Sequence, residues 1–173
     1  MTLKKWKVIS VVGIFLFSAL LHFIYDWFPN FFTSLFFPVN ESIGEHNKII
    51  VGSFLFWAII EKIYYKKRKN VIFAECISSL VCMILVMLIF TPVYLYILKT
   101  NDNMIVTFGI FILAIIISQI VSYKLLQKEY YSKLEELGII LFVIFFLINI
   151  IFTYYPPKVA LFYDYTNKIY GLK

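Results

Sequence analysis

Five apolar runs divide the chain, at about residues 6–25, 48–65, 71–98, 104–126 and 137–155. Each is near the ~20 residues that a helix needs to cross the hydrocarbon core of a bilayer. Charges within the runs fall close to their ends, where Lys can snorkel to water and Glu can meet headgroups. The pattern predicts an all-α integral membrane bundle of about five transmembrane helices in a single domain, residues 1–173, with a loop at 26–47 and a tail at 156–173. The stretch "NFFTSLFF", Asn30–Phe37, is too short to span and predicts an interfacial or re-entrant piece ahead of Pro38. Pro92, near the end of the third run, removes one backbone hydrogen bond and frees the Leu88 carbonyl, so a kink is expected there. The tail carries Phe162, Tyr163, Tyr165 and Tyr170, which suit a segment lying at the membrane interface, and it is expected to fold over the same face as the loop.

Composition agrees with a bilayer as solvent. The chain is 62% hydrophobic and 20% aromatic, and its 15% charged content compares with roughly 25% in soluble domains. A chain of 173 residues buries too little surface to hide that many apolar side chains from water. The net charge of +6 would suggest nucleic acid in a soluble protein. Here the cations sit at the ends of the apolar runs, so they read as topological signals and nucleic-acid binding is excluded. With the N-terminus in the cytoplasm, eleven Lys and Arg fall on the inner side and five on the outer. That bias predicts a multi-pass cell-membrane protein with a cytoplasmic N-terminus and an extracytoplasmic C-terminus. "KKRKN" is its strongest anchor. The first run lacks a small-x-small cleavage site and reads as a retained helix rather than a signal peptide. Cys76 and Cys82 are six apart, on different helix faces, and read as small buried hydrophobes.

The candidate chemistry gathers at the outer ends. His22 and Asp26 are four apart on one helix face, with Tyr25 beside them and Ser18 continuing the face inward. After the loop comes "PVNESIGEH". Asn40 is a good N-cap for a helix starting at Glu41, which would set Glu41 and Glu45 on one face and His46 on its flank. Acidic residues in a first turn also complement the helix dipole, a purely structural role. His22 lies inside an apolar run, where an ionisable group needs a partner. The nearest partners are Asp26 and the Glu41, Glu45, His46 group. Two imidazoles and three carboxylates can hold a divalent metal. In that reading His22, Asp26, Glu45 and His46 are the ligands, and Glu41 is the general base on a water. The same groups can instead form a hydrogen-bonded network that fixes the helices. The spacing matches neither HExxH nor the di-metal ExxH pattern. Asn149 and Thr153, four apart on the fifth helix, join Tyr25 and Asn40 as further lining of an outward polar pocket. A second polar set, Glu61, Glu75, Ser78, Ser79, Ser118, Gln119 and Ser122, lies toward the inner side, with Glu61 and Glu75 expected to pair with the basic loop.

Three function classes remain open on these residues. One is a metal-dependent membrane hydrolase acting on a lipid or lipid-linked substrate at the outer leaflet. Another is a small-solute or ion transporter or binding subunit, which at this size needs an oligomer or a partner subunit. The third is a structural, partner-binding membrane protein whose charges only fasten helices. The segments "HFIYDW", "FPVNESIGEH" and "YYPPKVALFYDYTNKIYG" together resemble an uncharacterised, domain-of-unknown-function family of small multi-pass membrane proteins of Gram-positive bacteria. The likeness runs over nearly the whole chain. It implies the same helical fold and an association of the two outer segments, and no activity. In that family a Trp usually stands at the position of Gly44 and a His is common at that of Lys158, so this chain lacks a possible third imidazole.

Overall fold

A computed structural model describes residues 1–98, 103–128 and 134–172. Six helices account for most of it: α1 (Leu3–Trp27), α2 (Phe31–Phe36), α3 (Asn47–Tyr64), α4 (Val71–Pro92), α5 (Met104–Leu126) and α6 (Glu135–Tyr154). The tail adds a 3₁₀ turn, Ala160–Phe162, and a hairpin of two short antiparallel strands, β1 (Tyr163–Asp164) and β2 (Ile169–Tyr170), with Tyr163 opposite Tyr170. The all-α bundle read from the sequence is the architecture found. α4 lies at its centre, packed against α3, α5 and α6, while α1 packs on α3 and α5 and α2 rests on α6.

Among the described residues, four helical segments are long and apolar enough to cross a membrane: Leu3–Trp27, Val71–Ile97, Met104–Leu126 and Glu135–Tyr154. α3, read from the sequence as a fifth span, differs in character. Its 18 residues include Lys48, Glu61 and Lys62, and Lys48 and Glu61 are fully buried. It is the most enclosed of the long helices, so its charges meet protein rather than lipid. α1 exposes what a helix of a soluble protein would bury. Its exposed side is an apolar stripe, Val8, Val12, Leu16, Leu20, Phe23 and Trp27, whereas its buried side mixes the polar Lys7, Ser10 and Ser18 with Trp6, Ile14 and Leu21. Large apolar side chains outward, with small and polar ones among those turned inward, is the arrangement expected when the surroundings are lipid tails.

Local chemistry accounts for the ends. Asn30 caps α2 in a reciprocal box with Thr33. Past Pro92, which has no N–H to give, the backbone widens into a π turn over Val93–Ile97, the local adjustment that absorbs a broken i→i−4 ladder. The core, with Ile14, Val51, Phe54, Trp57, Cys82, Ile115 and Phe142 among its members, fills the middle of the bundle. Trp57 Nε1 donates to Ser10 Oγ across it at 2.7 Å.

Candidate metal centre

α1 carries His22 a little over one turn before its end. The chain then passes α2 and returns through Val39–His46 to enter α3. The helix expected from Glu41 is not there: α3 begins at Asn47 and His46 takes the N-cap position. The reason is where the backbone donors go. Asn40 Oδ1 accepts the Ser42 N–H at 2.8 Å and Ser42 Oγ accepts the Glu45 N–H at 3.3 Å. Short polar side chains thus offer the backbone an alternative to the helical ladder. Two more N–H groups of the segment go to the tail. Gly44 donates to the Leu161 carbonyl at 2.8 Å, and Glu41 donates to Asp164 Oδ2 at 3.0 Å. Asn40, rather than capping a helix, sends its Nδ2 to the Gly171 carbonyl at 2.7 Å. The tail therefore lies on this segment.

Two features let it dock. Gly171 adopts a positive φ of 68°, open to glycine at little cost. At Gly44 an added Cβ would stand 2.3 Å from the Phe162 ring, so the missing side chain is the seat of that ring. A large side chain such as Trp has no room there without moving Phe162. Asp164 is fully buried and holds the hairpin turn through the backbone N–H groups of Thr166 and Asn167, at 2.8 and 2.9 Å. Burial alone would raise its carboxyl. The Asn167 side chain and the N–H groups of Asn167, Glu41 and Thr166 outweigh burial and hold it below the ordinary Asp value.

The result is a three-residue cluster. His22 Nε2 and His46 Nε2 are 3.1 Å apart, and Glu41 Oε2 is 3.6 Å from each. His46 Nδ1 lies 2.7 Å from the Ser42 carbonyl, an acceptor, so Nδ1 carries the proton and Nε2 of the neutral ring presents a lone pair. At 3.6 Å the carboxylate is beyond hydrogen-bond length from either ring. A metal with ligand bonds of about 2.0–2.2 Å in tetrahedral array has ligand–ligand edges of about 3.3–3.6 Å. The triangle of 3.1, 3.6 and 3.6 Å approximates one face of that tetrahedron. Both rings are over a quarter exposed and the Glu41 side chain is 46% exposed, so solvent reaches the cluster. The neighbouring His22 ring is the main influence holding the Glu41 carboxyl below its ordinary value. Partial burial of the His46 ring, with the charge of His22, pushes His46 below the ordinary imidazole value. These directions leave Glu41 a carboxylate and His46 a neutral imidazole, the forms in which those two bind a metal, whereas the positive charge on His22 that contributes to both must leave as a proton before its ring can join them.

The other expected ligands lie outside this cluster. His22, Glu41 and His46 have ligand atoms within 4.8 Å of one another, a group that includes neither Asp26 nor Glu45. Asp26 is exposed at the end of α1 and Tyr25 is half-buried there. Glu45 turns into the protein: its Oε2 receives Lys48 Nζ at 2.8 Å and the Val39 N–H at 3.2 Å, and its Oε1 receives the Thr153 hydroxyl at 2.7 Å. Lys48 completes its donors on the Ser34 and Phe37 carbonyls at 2.8 and 3.2 Å. Thr153 thus braces Glu45 from α6, while Asn149 donates back to the Phe145 carbonyl. Sequence reasoning missed Lys48, counting it only as a topological charge, although its place three residues after Glu45 on a helix start was a signal. It also missed Asp164. "DYTN" reads as an Asx turn, but nothing local says that the second carboxylate oxygen meets Glu41.

No curated protein and no solved structure matches the chain. A family profile matches residues 1–172, and by that match the chain belongs to DUF6512, a family of unknown function.

Proposed function

We propose that this protein is a membrane protein which holds a divalent transition-metal ion on His22, Glu41 and His46 and uses it to activate water at the outer membrane surface. The observation that carries the reading is the 3.1, 3.6 and 3.6 Å triangle of one carboxylate oxygen and two imidazole nitrogens. Two His and one carboxylate suit zinc and its first-row neighbours, and three protein ligands leave a position for water. An ion there would supply Lewis-acid activation of that water, the chemistry of hydrolysis. Glu41, assigned from the sequence as a general base, is in this reading a ligand. Asp164 acts as a positioning residue through the Glu41 backbone.

The basic-residue bias supports an N-terminus in the cytoplasm and a site on the extracytoplasmic side. Phe23, Trp27, Phe28, Phe31 and Phe32 are exposed around the same end of the bundle. Such an aromatic rim suits an amphiphilic substrate, a lipid or lipid-linked ester presented from the outer leaflet. The Glu45–Lys48–Thr153 network favours a second reading, in which the charges of this region only fasten α2, α3 and α6.

Metal analysis of protein purified without chelator decides between them. Wild type should carry about one zinc or related ion per chain, with His22→Ala and His46→Ala each losing it while remaining folded. Metal-free wild type after incubation with zinc, with both variants merely less stable, refutes the metal reading and leaves the fastening network. Labelling of single cysteines at the two ends, in a Cys76→Ala, Cys82→Ala background, tests orientation. A C-terminal cysteine labelled only from the cytoplasm would turn the site inward.

A further inference from the structure

The opposite end of the bundle holds a second polar cluster, deeper and drier than the first. Lys7 Nζ of α1 lies 2.6 Å from Glu61 Oε2 of α3 and 2.6 Å from Glu75 Oε1 of α4. From α5, Gln119 Nε2 donates to Glu75 Oε2 at 2.8 Å, and the Ser122 hydroxyl donates to Glu75 Oε1 at 2.5 Å. Tyr65, just past the end of α3, is the other titratable group that feels Glu61. α6 directs its Glu135 elsewhere, to Lys62 at 2.6 Å. Glu61, Glu75 and Ser122 have no exposed surface, Gln119 is 2% exposed and Lys7 is 5% exposed. The pairing expected with the basic loop is replaced by one with Lys7, brought from the first turns of α1.

Charge and hydrogen bonding both leave a remainder here. Two carboxylates against one ammonium leave one surplus negative charge, which a dry interior penalises by several kcal/mol. Two carboxyls sharing one site do not both ionise readily. Glu75 has no free acceptor need, since both its oxygens are occupied. Glu61 Oε1 and Gln119 Oε1 are buried and lack any hydrogen-bond partner, and each is bonded to the same carbon as an atom already in the network. The remainder is thus one positive charge and a donor for an oxygen. A hard metal cation such as calcium or magnesium takes about six or more oxygen ligands, and two oxygens here are vacant. We propose that the Lys7–Glu61–Glu75–Gln119–Ser122 cluster is a proton-binding site, holding one exchangeable proton on its carboxyl pair. With that proton the cluster is electrically neutral, and Glu61 gains an O–H to donate.

Infrared spectroscopy of the full chain in lipid nanodiscs at neutral pH tests this. The expected result is a protonated-carboxyl C=O band in wild type. It should vanish in Glu61→Gln and in Glu75→Gln, because either leaves a neutral Lys–Glu pair, and persist in Glu136→Gln, on the surface. Lys7→Met should enlarge the band about twofold, as both carboxyls then need protons. If a Gln variant does not fold, the wild type still decides: raising the pH should abolish the band reversibly with release of one proton per chain. Absence of the band in wild type, or its survival in both folded Gln variants, overturns the proposal. So does a thermal stability that rises in sodium over choline at equal ionic strength and loses that dependence in Glu61→Gln, since a metal cation would then balance the charge.

Discussion

Lys48→Met isolates the forces that hold the turn ahead of α3 in place. Methionine keeps most of the apolar stem of lysine and removes only the ammonium group. That group makes three contacts, to the Ser34 and Phe37 carbonyls and to Glu45 Oε2, with Lys48 itself fully buried and the Glu45 side chain 3% exposed. Deleting one member of a buried ion pair leaves the other charge without compensation and costs about 3–5 kcal/mol. The Val39 N–H and the Thr153 hydroxyl stay on Glu45 and soften that loss. The two freed carbonyls add to it, at about 1 kcal/mol each for buried acceptors. The expected destabilisation is about 4 kcal/mol. Glu45→Gln keeps a polar group of the same shape and should cost less. In the double variant neither charge is stranded, so its loss should fall short of the sum of the single losses by about 2 kcal/mol or more. Reversible unfolding in mixed micelles measures all four corners of the cycle. A loss below ~1 kcal/mol for Lys48→Met, or strict additivity in the cycle, would refute the assignment of this pair as the fastener of the turn.

Asp164→Ala should leave the helices intact and weaken metal affinity about 10–100-fold, the usual effect of losing a group that orients a ligand, as read by competition with a chelating dye; unchanged affinity would show that Glu41 needs no anchor. Gly171→Ala should cost about 2 kcal/mol, combining a left-handed backbone position with a Cβ placed 2.7 Å from the Thr153 carbonyl oxygen, and limited proteolysis should then cut the tail faster. Gly138→Ala should cost about 3 kcal/mol by overpacking. Its Cβ would fall 2.6 Å from the Phe73 backbone, which cannot rotate away, and a thermal midpoint equal to wild type would contradict the close approach of α6 to α4.

The positions of the long helices were legible in the sequence because a bilayer-length apolar run is a local property. The run at 104–126 coincides with α5, and that at 137–155 differs from α6 by only a residue or two at each end. The need of His22 for a polar partner was legible too, since an imidazole within an apolar run is costly wherever the chain goes. Which partner it takes was not. Asp26, Glu41 and Glu45 are chemically alike as ligands and all near in sequence, and tertiary packing sorts them: Asp26 faces outward, Glu45 is claimed by Lys48 and Thr153, and Glu41 is brought to the rings. The start of α3 at Asn47 was likewise decided from a distance, by tail acceptors at Leu161 and Asp164 that take the N–H groups of Gly44 and Glu41. Lys7 looked topological in sequence and became a buried counter-ion because α1 lies against α3, with α4 alongside. Apolar patterning marks the helices long and apolar enough to span a membrane, α3 excepted because its charges are answered inside the protein, whereas the pairing of a few polar groups depends on which ones the packed helices leave without water.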